Sequence, residues 1–94
     1  MSQETTATQN WQVYILRCSD NSLYTGITTD LARRFQEHLA GRGAKYFRGR
    51  QPLQVVYLEA EHSRASASRR EAFIKGLKRE EKERLLLQQK SEAP

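Results

Sequence analysis

Tyr14, Tyr24, Arg34, His38 and Glu71 are the residues of this chain whose types could together act on a phosphodiester. Such a hydrolysis needs a group to orient or deprotonate water, a cation to meet the charge that develops on phosphate oxygens, and a path for protons. A planar guanidinium suits phosphate oxygens, so Arg34 fits the second role. His38 could move a proton or hold a phosphate. Tyr14 and Tyr24 could orient water or deprotonate it, although a phenol with a pKa near ~10 is a poor base unless its surroundings depress it or a metal-bound water releases the proton. Glu71 could hold a divalent cation, because Mg²⁺ takes one or two protein carboxylates and keeps several waters. Each residue also has an ordinary reading. The tyrosines suit a sheet, Arg34 and His38 suit a helix surface, and Glu71 stands four residues before Lys75, the spacing of a simple helix ion pair.

These side chains need elements to position them. Trp11–Cys18 and Leu23–Ile27 read as strands, and the turn formers Ser19-Asp20-Asn21-Ser22 between them predict a hairpin. Alternation puts Trp11, Val13 and Ile15 on one side and Tyr14 and Leu16 on the other. Thr28-Thr29-Asp30 offers a helix cap. Leu31, Phe35 and Leu39 then form an apolar stripe over a helix at 31–40, with Arg34 and His38 sharing a face beside it. Gly41-Arg42-Gly43 ends that helix, Ala44–Phe47 suits one helical turn, and Arg48–Pro52 is a basic loop. A third strand is expected over Leu53–Glu59. A helix over Ser63–Leu77, capped by Ser63, is expected to pack through Ala65, Ala72, Phe73, Ile74 and Leu77. A last helix covers about Arg79–Gln89, with Glu80 and Glu81 at its positive end. The order β-β-α-β-α-α predicts an α/β domain with a three-stranded antiparallel sheet flanked by helices. Residues 1–10 and 90–94 read as flexible tails around a single domain at 11–89.

Composition narrows the function classes. The chain has 94 residues and a 37% hydrophobic fraction, with no apolar run near the ~18 residues of a membrane span. Its N-terminus has no basic start followed by an apolar run, so no secretory leader is expected. Cys18 stands alone, which excludes an internal disulfide and a cysteine zinc cluster and suits a reducing cytoplasm. Net charge is +5 and unevenly spread. Basic residues concentrate at 31–50, including Lys45, Arg48 and Arg50, and again at 62–90, on an otherwise acidic chain. That pattern points to a polyanion partner or to a solvated basic surface. Residue by residue, the reading stops at a small basic α/β domain with nucleic acid as one candidate partner.

One ordered set of motifs goes further. Val13-Tyr14-Ile15, Tyr24-Thr25-Gly26 and Leu31-x-x-Arg34-x-x-x-His38 resemble the GIY-YIG nuclease family, and Arg69-Arg70-Glu71-Ala72-Phe73 resembles the setting of that family's metal-binding glutamate. Tyr24–Asp30, Gly43–Tyr46 and Arg48-Gly49-Arg50-x-Pro52-Leu53 resemble its small stand-alone bacterial YhbQ-type branch. The resemblance spans about residues 11–87. Gln12-Val13 stands in place of the family's Gly-Ile, Thr25 replaces an isoleucine, and no asparagine follows Asn21. The resemblance implies a divalent-metal-dependent endonuclease acting on DNA more readily than RNA, in repair or processing, with Mg²⁺ or Mn²⁺ as cofactor. It implies Tyr14 or Tyr24 as water activator, Arg34 as charge stabiliser, His38 in proton transfer and Glu71 as metal ligand. Lys45, Arg48 and Arg50 are expected to meet backbone phosphates. A nucleic-acid-binding module with weak or no cleavage is the alternative.

Overall fold

In the computed structural model, which describes residues 9–92, the elements follow the expected order. They are β1 (Trp11–Cys18), β2 (Leu23–Thr28), α1 (Leu31–Leu39), a 3₁₀ turn (Lys45–Arg48), β3 (Pro52–His62), α2 (Arg64–Lys75) and α3 (Arg79–Glu92). The sheet is wholly antiparallel in the order β2-β1-β3. The last helix runs on to Glu92, past the expected end of the domain at residue 89. Of the expected tails, residues 1–8 and 93–94 lie outside the described residues.

β1 is the middle strand, and its alternation sorts the interior into two clusters. Val13 and Ile15 meet Tyr57, Ala67, Ile74 and Leu86 on the side of α2 and α3. Tyr14, Leu16 and Cys18 meet Phe47, with Leu31 and Phe35 of α1 packed around them. A strand covered on both faces has no solvent side, which is why Val13 to Leu16 are all buried. Removing a side chain there, as in Ile15→Ala, costs about 2–5 kcal/mol.

Local chemistry sets the ends of the elements. Asn21 takes φ +68 in the hairpin turn, a left-handed conformation that asparagine tolerates well. Asp20 Oδ1 accepts the Ser22 N–H at 3.1 Å within that turn. Asp30 caps α1 by accepting the Arg33 N–H at 3.1 Å. Ser63 and Ser66 form a reciprocal capping box at the start of α2, with bonds of 3.0 and 3.1 Å.

The packing of α2 departs from expectation. Of Ala65, Ala72, Phe73, Ile74 and Leu77, only Ile74 is fully buried; its partner in the core is Ala67, and Phe73 is 58% exposed. The inward strip is Ala67, Arg70, Glu71 and Ile74, at the i, i+3, i+4, i+7 spacing of one helix face. Its middle is polar, so a search for apolar residues passes over it.

Candidate active site

The site is built where β1, β2, α1 and the 3₁₀ turn meet. Tyr14 lies opposite Gly26, and Tyr24 lies opposite Leu16, so both tyrosines project to the α1 side of the sheet. Their rings are 6.4 Å apart between centroids. Gly26 is required by this arrangement, because the Tyr14 ring lies across it. A Cβ at Gly26 would stand 2.5 Å from the Tyr14 hydroxyl oxygen and 2.6 Å from Cζ.

α1 supplies His38 from its last turn. The helix-surface reading of this residue is overturned: His38 is 1% exposed. It is also the one fully buried residue of α1, while Leu39 of the expected apolar stripe is 40% exposed. The hydroxyl of Tyr14 and Nε2 of His38 are 2.9 Å apart in the interior. Burial pushes the Tyr14 phenol up to about 12, the nearby Tyr24 and Glu71 add to the rise, and the Arg34 guanidinium opposes it. Burial, then the charge of Arg34, lowers His38 below its ordinary value. At neutral pH both groups are therefore uncharged, a protonated phenol hydrogen-bonded to a neutral imidazole. The other ring nitrogen, Nδ1, is buried without a hydrogen-bond partner.

Arg34 stands at the mouth of this buried pair. Its Nη1 donates to Glu37 Oε1 at 2.9 Å and its Nη2 to the Gly43 carbonyl at 3.2 Å, with the side chain still 30% exposed. Gly43 has φ +93, and a Cβ there would come within 2.8 Å of Arg34 Nη1. The glycine read as a helix terminator thus also makes room for the guanidinium.

Tyr24 is half-buried and central to an aromatic group. Its ring lies 5.3 Å from His38, 5.0 Å from Tyr46 and 4.8 Å from Phe47. His38 and Phe47 stack at 4.3 Å. Tyr46 and Phe47 were not among the expected site residues. Their signal in the sequence was an adjacent aromatic pair inside a basic, glycine-flanked segment.

Glu71 reaches the site from the other side of the sheet. Its charge raises both Tyr14 and Tyr24, so it stands within electrostatic range of the pair. It also makes the expected helix pair, with Lys75 Nζ at 3.2 Å and its own side chain 23% exposed. No group of three or more His, Cys, Asp or Glu side chains forms a metal cluster among the described residues. A lone, partly exposed carboxylate nevertheless suits a hard cation that keeps most of its waters. Tyr14, Tyr24, Arg34 and His38 thus lie together in two layers, with Glu71 within charge range of the two tyrosines. Tyr24, Arg34 and Glu71 reach solvent, and Tyr14 and His38 are sealed behind them.

The three expected phosphate contacts divide. Lys45 and Arg48 are exposed on the 3₁₀ turn, next to Tyr46 and Phe47. Arg50 is already engaged: its Nε pairs with Asp20 Oδ2 at 2.9 Å, and its guanidinium lies 3.9 Å above the Tyr46 ring. It ties the hairpin turn to the approach to β3.

Residues 10–84 match the GIY-YIG catalytic domain. A UPF0213 protein of Haloquadratum walsbyi is 56% identical over 73 residues, covering 78% of this chain and 82% of the relative. The UPF0213 protein YhbQ of Salmonella arizonae is 44% identical over 81 residues, covering 86% and 81%. The solution NMR structure of a UPF0213 protein from Bacillus halodurans superimposes with a TM-score of 0.53 at 49% identity, covering 81% of each chain. No helix among the described residues is long and apolar enough to cross a membrane.

Proposed function

The chain belongs to the GIY-YIG catalytic-domain family, and from that premise we propose that it is a divalent-metal-dependent endonuclease that hydrolyses DNA in repair or processing. The observation that carries the reading is the buried Tyr14–His38 contact with Arg34 at its mouth. A tyrosine provided with its own proton acceptor and a neighbouring cation is more than a sheet aromatic.

In this reading the two tyrosines have separate tasks. Tyr24, the more accessible, orients the attacking water against the phosphorus. Arg34 binds a non-bridging oxygen and stabilises the charge that grows there in the transition state. Tyr14 works from behind as a relay: its oxygen takes up the attacking water's proton as its own proton passes to His38 Nε2, so the tyrosine is unchanged, and the leaving oxygen takes a proton from solvent as the P–O bond breaks. Glu37 and the Gly43 carbonyl hold Arg34 in orientation for this work. Glu71 is the residue that would hold Mg²⁺ or Mn²⁺; when bound, the ion supplies positive charge to the phosphate and acidifies water. Lys45 and Arg48 meet backbone phosphates beside the site, and Arg50 contributes chiefly by fixing Tyr46.

The test is cleavage by purified protein of single-stranded, duplex, flap and branched DNA and their RNA counterparts, in Mg²⁺, Mn²⁺ or chelator. Divalent-dependent cutting that Glu71→Gln abolishes supports the proposal. Salt-sensitive binding with no cutting of any substrate would favour the second reading, a nucleic-acid-binding module. The elevated Tyr14 phenol is the specific observation on that side, since such a group stays protonated at neutral pH and is not available as a base unaided.

A further inference from the structure

A second polar cluster lies away from the site, between β3 and α2. Glu59 of β3 is its centre. Oε2 of Glu59 accepts from Arg70 Nε at 2.8 Å and from the Tyr57 hydroxyl, and Oε1 lies 2.8 Å from His62 Nε2. His62 Nδ1 is in turn 2.8 Å from Ser66 Oγ, and Arg70 Nη2 reaches the Tyr57 hydroxyl at 3.5 Å. One carboxylate on the sheet thereby holds two successive turns of α2, through Ser66 and Arg70. Burial alone would raise the Glu59 carboxyl, but the bonds from Tyr57, His62 and Arg70 outweigh it and keep the group below the usual carboxylate range.

The apolar contacts of α2 do not fix its rotation firmly. It buries only Ala67 and Ile74, and an alanine methyl offers little area. A helix turns about 100° per residue, so a small rotation would carry Glu71 away from the two tyrosines that feel its charge. The ion-pair partner of Glu71, Lys75, sits on the same helix and would turn with it. Arg70, the neighbour of Glu71, is the residue clasped by Glu59.

We infer that Glu59 is a positioning residue for metal binding: through Arg70 and the His62–Ser66 pair it sets the rotation of α2 and so aims Glu71 at the site. This rests on the reading of Glu71 as the metal ligand. Outer partners that orient a metal ligand are commonly worth about 10–100-fold in metal affinity.

The test follows Mn²⁺ binding by paramagnetic broadening of Tyr24 ring signals, with urea unfolding run in parallel. Folded Glu59→Gln should need about 10–100-fold more Mn²⁺ for half-saturation. Tyr57→Phe and Arg70→Lys should shift it in the same direction and by less, and they carry the test if Glu59→Gln does not fold. Folded variants that bind Mn²⁺ as the unmodified protein does, while Glu71→Gln abolishes binding, would overturn the inference and leave the metal assignment standing. Broadening that survives Glu71→Gln unchanged would instead overturn the assignment of Glu71, and the positioning role with it.

Discussion

Two clusters in this molecule are made from the same side-chain types and differ in how completely they are satisfied. Each contains tyrosine, histidine, arginine and glutamate. In the β3–α2 cluster both imidazole nitrogens of His62 are bonded, and the Glu59 carboxylate meets a tyrosine, a histidine and an arginine. Such a closed network has little left to offer a ligand. In the site cluster His38 uses one nitrogen on Tyr14 and leaves the other buried without a partner. The Tyr14 phenol is displaced to about 12, chiefly by burial, and Arg34 remains partly open to solvent. Both clusters have displaced ionisation, so what separates them is that the completed network holds elements in place while the site keeps an unpartnered ring nitrogen and a partly open guanidinium.

Parallel arginine variants separate the two clusters most directly. Arg34→Lys should keep the fold and lower kcat by about 10²–10³-fold, the usual cost of removing one transition-state donor, because lysine lacks the fork that spans Glu37, Gly43 and a phosphate. Arg70→Lys should leave kcat at saturating Mn²⁺ far closer to that of the unmodified protein and act on Mn²⁺ half-saturation and stability. Equal kcat losses in the two variants would erase the distinction between the clusters.

Gly26→Ala sharpens it from the side of packing. The added methyl meets the C–O bond of Tyr14 from the side, 2.5 Å from the oxygen and 2.6 Å from Cζ, and overpacking of this kind costs about 1–3 kcal/mol. Urea unfolding should show that loss, and the variant should lose cleavage even where it is fully folded, because Tyr14 is displaced from His38. Full activity in folded Gly26→Ala would remove Tyr14 from the chemistry.

A smaller effect concerns the nucleic-acid surface. Lys45→Ala with Arg48→Ala should reduce the slope of log binding constant against log salt by about 1.8 on duplex DNA, roughly 0.9 per contact. Arg50→Ala should lower stability instead, since it removes the partner of Asp20 and the cover of Tyr46. A slope unchanged by the double variant would place the polyanion on another face.

The smallest expected effect is on stability against pH. His38 has a lower pKa folded than unfolded, so below about 6.5 the unfolded chain takes up more protons and stability falls as pH falls. The window lies between pH 7 and about 5.5, above the range of ordinary carboxylates. The urea midpoint should drop over this window in the unmodified protein and drop less in His38→Gln. Equal drops in both would show that His38 is not the group responsible.

The sequence by itself determined the order of elements, the two-faced alternation of β1 and the caps at Asp30 and Ser63. All of these depend on interactions within a few residues. Helix spacing and strand alternation placed Arg34 with His38 and Tyr14 with Leu16 on shared faces, while joining these and Glu71 into one site came only from the resemblance to the GIY-YIG family. Only the tertiary structure decided what lies behind those faces. His38 is buried because Phe47 and Tyr14 close over it, contacts that no periodicity within α1 encodes. Arg50 became a strut because Asp20, thirty residues earlier, happens to lie beside it. Gly26 and Gly43 acquired their second meaning from side chains that cross them from other elements. The inward face of α2 was missed for a related reason: Glu59 and Tyr57 satisfy Arg70, and Lys75 pairs with Glu71, so the polar half of that face is partly buried without being apolar.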